Sequence, residues 1–135
     1  MATIDKLMML HMAVHNNKMD ELKEFYMEKL SFKVTADFAY NEVLAAKAGV
    51  PGGSRWISVQ FPGSGTSITL TNLFENMKPG GMKLYLSTPD IEAAYNELTA
   101  KGVKPTTVIT HAGWGTFFSF SDPDGNQWFV VESKN

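Results

Sequence analysis

His11 is the first residue whose type could do chemistry, because a neutral imidazole can ligate a metal, accept a proton or hydrogen-bond a ligand. It lies in the run Met8 to His15, which divides by parity. Met8, Leu10, Met12 and Val14 form one face and Met9, His11, Ala13 and His15 the other, as in a strand with a core side and a wetter side. His15 shares the face of His11, yet four residues of strand would hold them about 13 Å apart, too far to bind one zinc ion together. Further along, Trp56, Ser58 and Gln60 alternate with Ile57, Val59 and Phe61, so an indole and two hydrogen-bonding groups share one face. Lys83 and Tyr85 alternate with Leu84 and Leu86, and Lys83 could hold a carboxylate or phosphate of a ligand. His111 and Trp114 fall in a Gly-rich stretch, where Trp114 could stack on a ligand from a loop. The chain has no cysteine, which removes disulfides, thiolate metal sites and cysteine nucleophiles.

These residues need elements to place them. After the first strand, Met19, Leu22, Phe25, Tyr26 and Leu30 recur at helical spacing, with Asn17 placed to cap the start and Asp20 in the first turn. Strand-like segments follow around 32–40, 55–61 and 66–71, separated by turns at Pro51-Gly52-Gly53 and Pro62-Gly63. Residues 45–54 carry no motif and read as a loop. Past Pro79-Gly80-Gly81 the order begins again. Met82, Leu84 and Leu86 alternate, and Thr88 is placed as N-cap with Pro89 at the first helical position. Ile91, Ala94, Tyr95 and Leu98 form a helical stripe that Gly102 stops. Closing strands are expected at 103–109, 116–121 and 127–132, with Asp122-Pro123-Asp124-Gly125-Asn126 as a tight turn. Phe117, Phe118 and Phe120 cannot all face one way, so some belong to the core, and the eight methionines read as gap-filling core.

The sequence therefore describes an α+β protein of two tandem βαβββ modules, about 5–75 and 80–133, within a single domain 1–135. Helices on the outer face of a curled mixed sheet would leave the other side to enclose a cleft. With 135 residues, 44% of them apolar and 19% charged, the chain can build an ordinary core. Its net charge of -2 and the absence of a basic stripe argue against nucleic acid. No run approaches the ~20 apolar residues of a membrane span. The N-terminal apolar run Leu7 to Val14 is broken by His11 and lacks a basic leader, so a cytoplasmic location is expected.

The phrase Phe25-Tyr26-Met27-Glu28-Lys29-Leu30-Ser31-Phe32 resembles the helix ending of the vicinal oxygen chelate superfamily, which includes glyoxalase I, extradiol dioxygenases and the bleomycin and fosfomycin resistance proteins. Ser31 stands where glycine is usual and a left-handed backbone is expected. The DPDGN run at 122–126 is similar to the turn before the family's last strand, and Arg55-Trp56-Ile57-Ser58-Val59 resembles one of its subfamilies.

The resemblance implies four metal ligands, usually His, Gln or Glu, on the first and last strand of each module. Here those positions read as His11, a hydroxyl among Ser67, Thr69 and Thr71, then Lys83 and Phe129; Glu132 has the opposite parity to Phe129. No cofactor is therefore expected, and a divalent metal is disfavoured. The leading expectation is a binding protein that holds an antibiotic or a small aromatic or acidic metabolite. Its ligand-binding residues would be His11, His15, Trp56, Ser58, Gln60, Ser67, Thr69, Lys83, Tyr85, Trp114 and Phe129. The alternative is a lyase, isomerase or dioxygenase-like enzyme with a non-standard site around His11, the best catalytic candidate, for instance paired with Tyr85. A third reading makes the cleft a dimer seam, and relatives that pair modules between subunits imply a homodimer.

Overall fold

The computed structural model describes residues 3–4, 6–39, 41–49, 54–63, 65–72 and 78–133. The turn expected at Pro51-Gly52-Gly53, the strand end at Tyr40 and the close of the first module at 73–75 lie outside them. The chain forms two compact units, Met1–Pro79 and Gly80–Asn135.

The first unit begins with β1 (Met9–Ala13), a 3-10 turn (Asn16–Lys18) and the helix α1 (Met19–Glu24), which continues as a single π-helical stretch (Phe25–Lys29). Then come β2 (Lys33–Ala39), α2 (Glu42–Ala48), β3 (Arg55–Gln60) and β4 (Ser67–Thr71). The strands lie in the order β1-β4-β3-β2, with β1 parallel to β4 and the other pairs antiparallel. One face is apolar by parity. Met12, Ile57, Val59 and Leu70 are fully buried, as are Leu22 and Tyr26 of the helical segment. The Tyr26 hydroxyl donates to Met12 Sδ at 3.6 Å, which marks this face as the one the helix covers.

The second unit holds β5 (Lys83–Thr88), α3 (Ile91–Ala100), β6 (Pro105–Ala112), β7 (Gly115–Ser121) and β8 (Gln127–Glu132). Its strand order, β5-β8-β7-β6, repeats that of the first, again with the first strand parallel to the last. Tyr95 of α3 meets Phe118 edge to face, and Phe118, Phe120, Trp128 and Val130 form the buried side. The expected pair of βαβββ modules is therefore present as two four-stranded mixed sheets.

Several local expectations need correction. Residues 45–48, read as the start of a loop at 45–54, belong to the helix α2: Asn41 accepts the Leu44 amide at its N-terminus, and Gly49 closes it with φ 72°. The first helix is not capped by Asn17, which lies inside the 3-10 turn. Asp90, not Thr88, caps α3 by accepting the Ala93 amide at 3.1 Å, so Pro89 precedes the helix. Glu132 turns to the helix side, where its Oε2 accepts the Ile91 amide. Ser31 does adopt the left-handed backbone, at φ 59°.

The DPDGN run is a structural knot. Asp122 Oδ1 accepts the amides of Asp124 and Asn126, and its Oδ2 accepts Asn126 Nδ2 at 3.0 Å. Asn126 Oδ1 in turn accepts the Met82 amide, tying the turn to the start of β5. Gly80 passes so close that an added Cβ would lie 2.6 Å from the Asp124 carbonyl oxygen, and its φ of +79° disfavours any side chain.

Candidate functional site

In the first unit, the sheet face opposite α1 carries His11 on β1, Thr69 on β4 and Ser58 on β3, aligned across the strands by register. The Ser58 and Thr69 hydroxyls are 2.9 Å apart and hydrogen-bonded, and Trp56 Nε1 donates to Ser58 Oγ at 3.0 Å. His11 meets the Trp56 indole edge to face, with ring centres 5.2 Å apart. Phe38 of β2 stacks on the other side of Trp56 at 6.1 Å. Gln60 and Ser67 lie opposite each other one step along this face. Thus six expected residues share one sheet face, and Phe38 joins them. Parity could not assign Phe38, because the β2 register shifts between Val34 and Ala36. His15 stands apart, because β1 ends at Ala13 and His15 lies exposed before the 3-10 turn.

On the helix-facing side of this unit, Arg55 is held by Asp37 through two bonds, Nε to Oδ1 at 3.0 Å and Nη2 to Oδ2 at 2.9 Å. It also reaches Asp20 of α1 at 2.6 Å, while Lys23 of the same helix reaches Asp37 at 2.7 Å. The Arg55 guanidinium holds the Asp37 carboxyl below its ordinary value, against a smaller opposing effect of burial and with help from Lys23. The same pairing raises Arg55. This cluster fastens α1 to the sheet and is structural.

In the second unit, the face opposite α3 is aromatic. Tyr85 of β5 stacks on Phe129 of β8 with ring centres 4.9 Å apart and planes 17° from parallel. Phe129 adjoins Phe117 of β7 at 6.0 Å, and Phe117 stacks under Trp114 at 5.2 Å. Four rings thus form a continuous stripe across three strands and the β6–β7 turn. Its ends are open: Tyr85 is 63% exposed and Trp114 62%. Beside it lie Ser119, bonded to the Thr106 and Thr107 hydroxyls, and the register pair Lys83 and Gln127. Phe117 is the contributor that sequence reasoning left unclaimed. Parity separates it from Phe118 and Phe120, but only the Tyr95 contact shows which of the two sets faces the helix. His111 occupies the end of β6, where its Nδ1 is 2.9 Å from the Thr116 hydroxyl.

The positions that the resemblance gave to metal ligands do not compose a donor set. His11 pairs across the strands with Thr69, and Phe129 pairs with Tyr85, while Lys83 sits one pair further along opposite Gln127. One imidazole, one hydroxyl group, an ammonium and a phenyl ring do not fit a divalent transition metal. Among the described residues, no three His, Asp or Glu side chains are grouped to hold an ion.

Comparison with known proteins gives this scaffold its relatives. The sequence profile described as Glyoxalase/Bleomycin resistance protein/Dioxygenase superfamily matches residues 9–130. The chain is similar to an uncharacterised protein of Shewanella frigidimarina, at 29% identity over 94% of each chain. Among solved structures it is similar to TnmS3, described as an antibiotic binding protein from Streptomyces sp. CB03234. That match has 29% identity and a TM-score of 0.78 and covers 99% of this chain and 100% of that one. It is also similar to a glyoxalase/bleomycin resistance protein from the same Streptomyces strain, with 31% identity, a TM-score of 0.69 and coverage of 93% and 99%. With two mixed sheets of repeated topology and a profile match over most of its length, the chain belongs to the glyoxalase, bleomycin resistance protein and dioxygenase superfamily.

Proposed function

We propose that this protein binds an antibiotic or another small aromatic metabolite without a metal, by stacking a planar ring system on the aromatic face of its second sheet. The observation that carries this reading is the stripe Tyr85, Phe129, Phe117 and Trp114. Aromatic side chains are costly to leave in water, and four that adjoin one another, two of them exposed, form an apolar surface that complements a fused-ring ligand. The similarity to TnmS3, an antibiotic binding protein, supports the same class of role. The first sheet, taken by itself, carries a polar face in which His11 meets Trp56 and the Ser58 and Thr69 hydroxyls are hydrogen-bonded. No catalytic group is required.

The test has two parts. Elemental analysis of protein purified without chelator is expected to give far less than one equivalent of any transition metal. A thermal-shift panel should set planar polycyclic antibiotics and fused-ring aromatic compounds against sugars and aliphatic acids of similar size. The planar set should raise Tm by several degrees, and Phe129→Ala should weaken binding about tenfold through the lost stacking area. Stoichiometric metal, or a panel in which only non-aromatic compounds stabilise, would overturn the reading.

A further inference from the structure

The aromatic stripe has a charged end. Lys83 lies two residues before Tyr85 on β5, on the same sheet face and about 7 Å away along the strand. Its register partner on β8 is Gln127, just as Phe129 is the partner of Tyr85. The step of sheet next to the Tyr85–Phe129 stack therefore presents an ammonium and a carboxamide side by side. Lys83 is exposed and forms no ion pair with the described residues. On that face β5 adds Tyr85 and Ser87, β8 adds Phe129 and Val131, and β7 adds Phe117, Ser119 and Ser121, and none is acidic. Glu132 stands at the far end of the ladder, opposite Thr88, and accepts the amide of Ile91 on the other side, while Asp122, in the turn beside the start of β5, is buried and accepts the amides of Asp124 and Asn126.

We propose that the ligand is a planar aromatic anion, a fused-ring carboxylate or an acidic phenol, stacked on Tyr85 and Phe129 with its negative group held by Lys83 Nζ and the Gln127 side-chain amide. This rests on the reading of the stripe as a binding surface and adds the sign and place of the ligand's charge. The geometry suits it. A ring over Phe129 carries a substituent toward Lys83 along the strand axis, and the lysine stem spans the remaining gap while its head stays in solvent. A charge-assisted hydrogen bond with an exposed lysine is screened by water and salt, so its effect is a preference rather than the bulk of affinity.

The experiment compares 2-naphthoate with 2-naphthamide, equal in shape and different in charge, by calorimetric titration against wild type, Lys83→Met, Lys83→Arg and Phe129→Ala. Wild type should bind the carboxylate about fivefold to tenfold more tightly than the amide, and the margin should shrink as salt rises. Lys83→Met should abolish the preference while leaving amide affinity within about twofold, and Lys83→Arg should restore it. Phe129→Ala should weaken both compounds alike. Equal binding of acid and amide to wild type, or a preference unchanged in Lys83→Met, would overturn the charged end and leave the stacking surface standing. Failure of both compounds to bind wild type would overturn the stacking surface and, with it, this inference.

Discussion

Asn126 shows how a residue that looks like turn chemistry can be a fold determinant. Its side chain is fully buried, donates to Asp122 and accepts from the Met82 amide, so one amide group joins the turn before β8 to the start of β5. Asn126→Ala would strand the Met82 amide, at a cost of about 1–3 kcal/mol for a buried group left without a partner, and would remove one bond from the Asp122 carboxylate, which keeps the Asp124 and Asn126 amides. Urea denaturation should show a fall of about 3 kcal/mol with an unchanged m-value. Asn126→Asp should recover little, because it places a second carboxyl group against Asp122. By contrast, Trp114→Ala should leave stability within about 0.5 kcal/mol, since its ring is mostly in water. A residue that affects binding and not folding is the pattern expected of the stripe's open end.

At the scale of elements, the ion cluster is the device that fixes α1. Asp37 joins β2 to β3 through Arg55 and to α1 through Lys23, and Arg55 adds Asp20. Because the Asp37 carboxyl is held below its ordinary value, its contribution to stability is fully present above about pH 4 and disappears as pH falls through the folded-state value. The urea midpoint of wild type should therefore drop between pH 5 and pH 3. Asp37→Asn should start lower at pH 5 and lose less over the same window; an identical pH response in the two proteins would exclude this role for Asp37. The elements also show what a sequence makes legible. Strand parity placed His11, Trp56, Ser58 and Tyr85 opposite the core because each strand buries alternate residues against a helix. The duplication is readable because Pro79-Gly80-Gly81 marks where the order of strand, helix and strands begins again. Helix α2 is not, because Val43 and Leu44 remain exposed and no apolar stripe betrays it; only Asn41 and Gly49, its two caps, signal a helix. Thr88 and Asp90 are both good capping residues two positions apart, and Glu132, arriving from β8 to hold the Ile91 amide, decides where α3 begins.

For the molecule as a whole, the scaffold and the chemistry separate. Both units carry the same strand order, and matching them by register sets His11 and Thr69 of one against Tyr85 and Phe129 of the other. One topology thus presents hydroxyl groups and an imidazole in its first copy and stacked rings in its second, which is why family resemblance alone carried the fold further than the function. The stripe itself could not be read from sequence, since its continuity depends on cross-strand register that brings Phe117 between Phe129 and Trp114. The three tryptophans offer the most direct test, because each indole N–H gives its own signal in a nitrogen-15 correlation spectrum. Trp114 caps the stripe, Trp56 lies in the other sheet, and Trp128 is buried on the α3 side. Titration with the fused-ring compound that gives the largest thermal shift should move the Trp114 signal progressively to saturation and leave Trp128 in place. A compound that saturates the protein while the Trp114 signal stays still would contradict the aromatic face as the binding site.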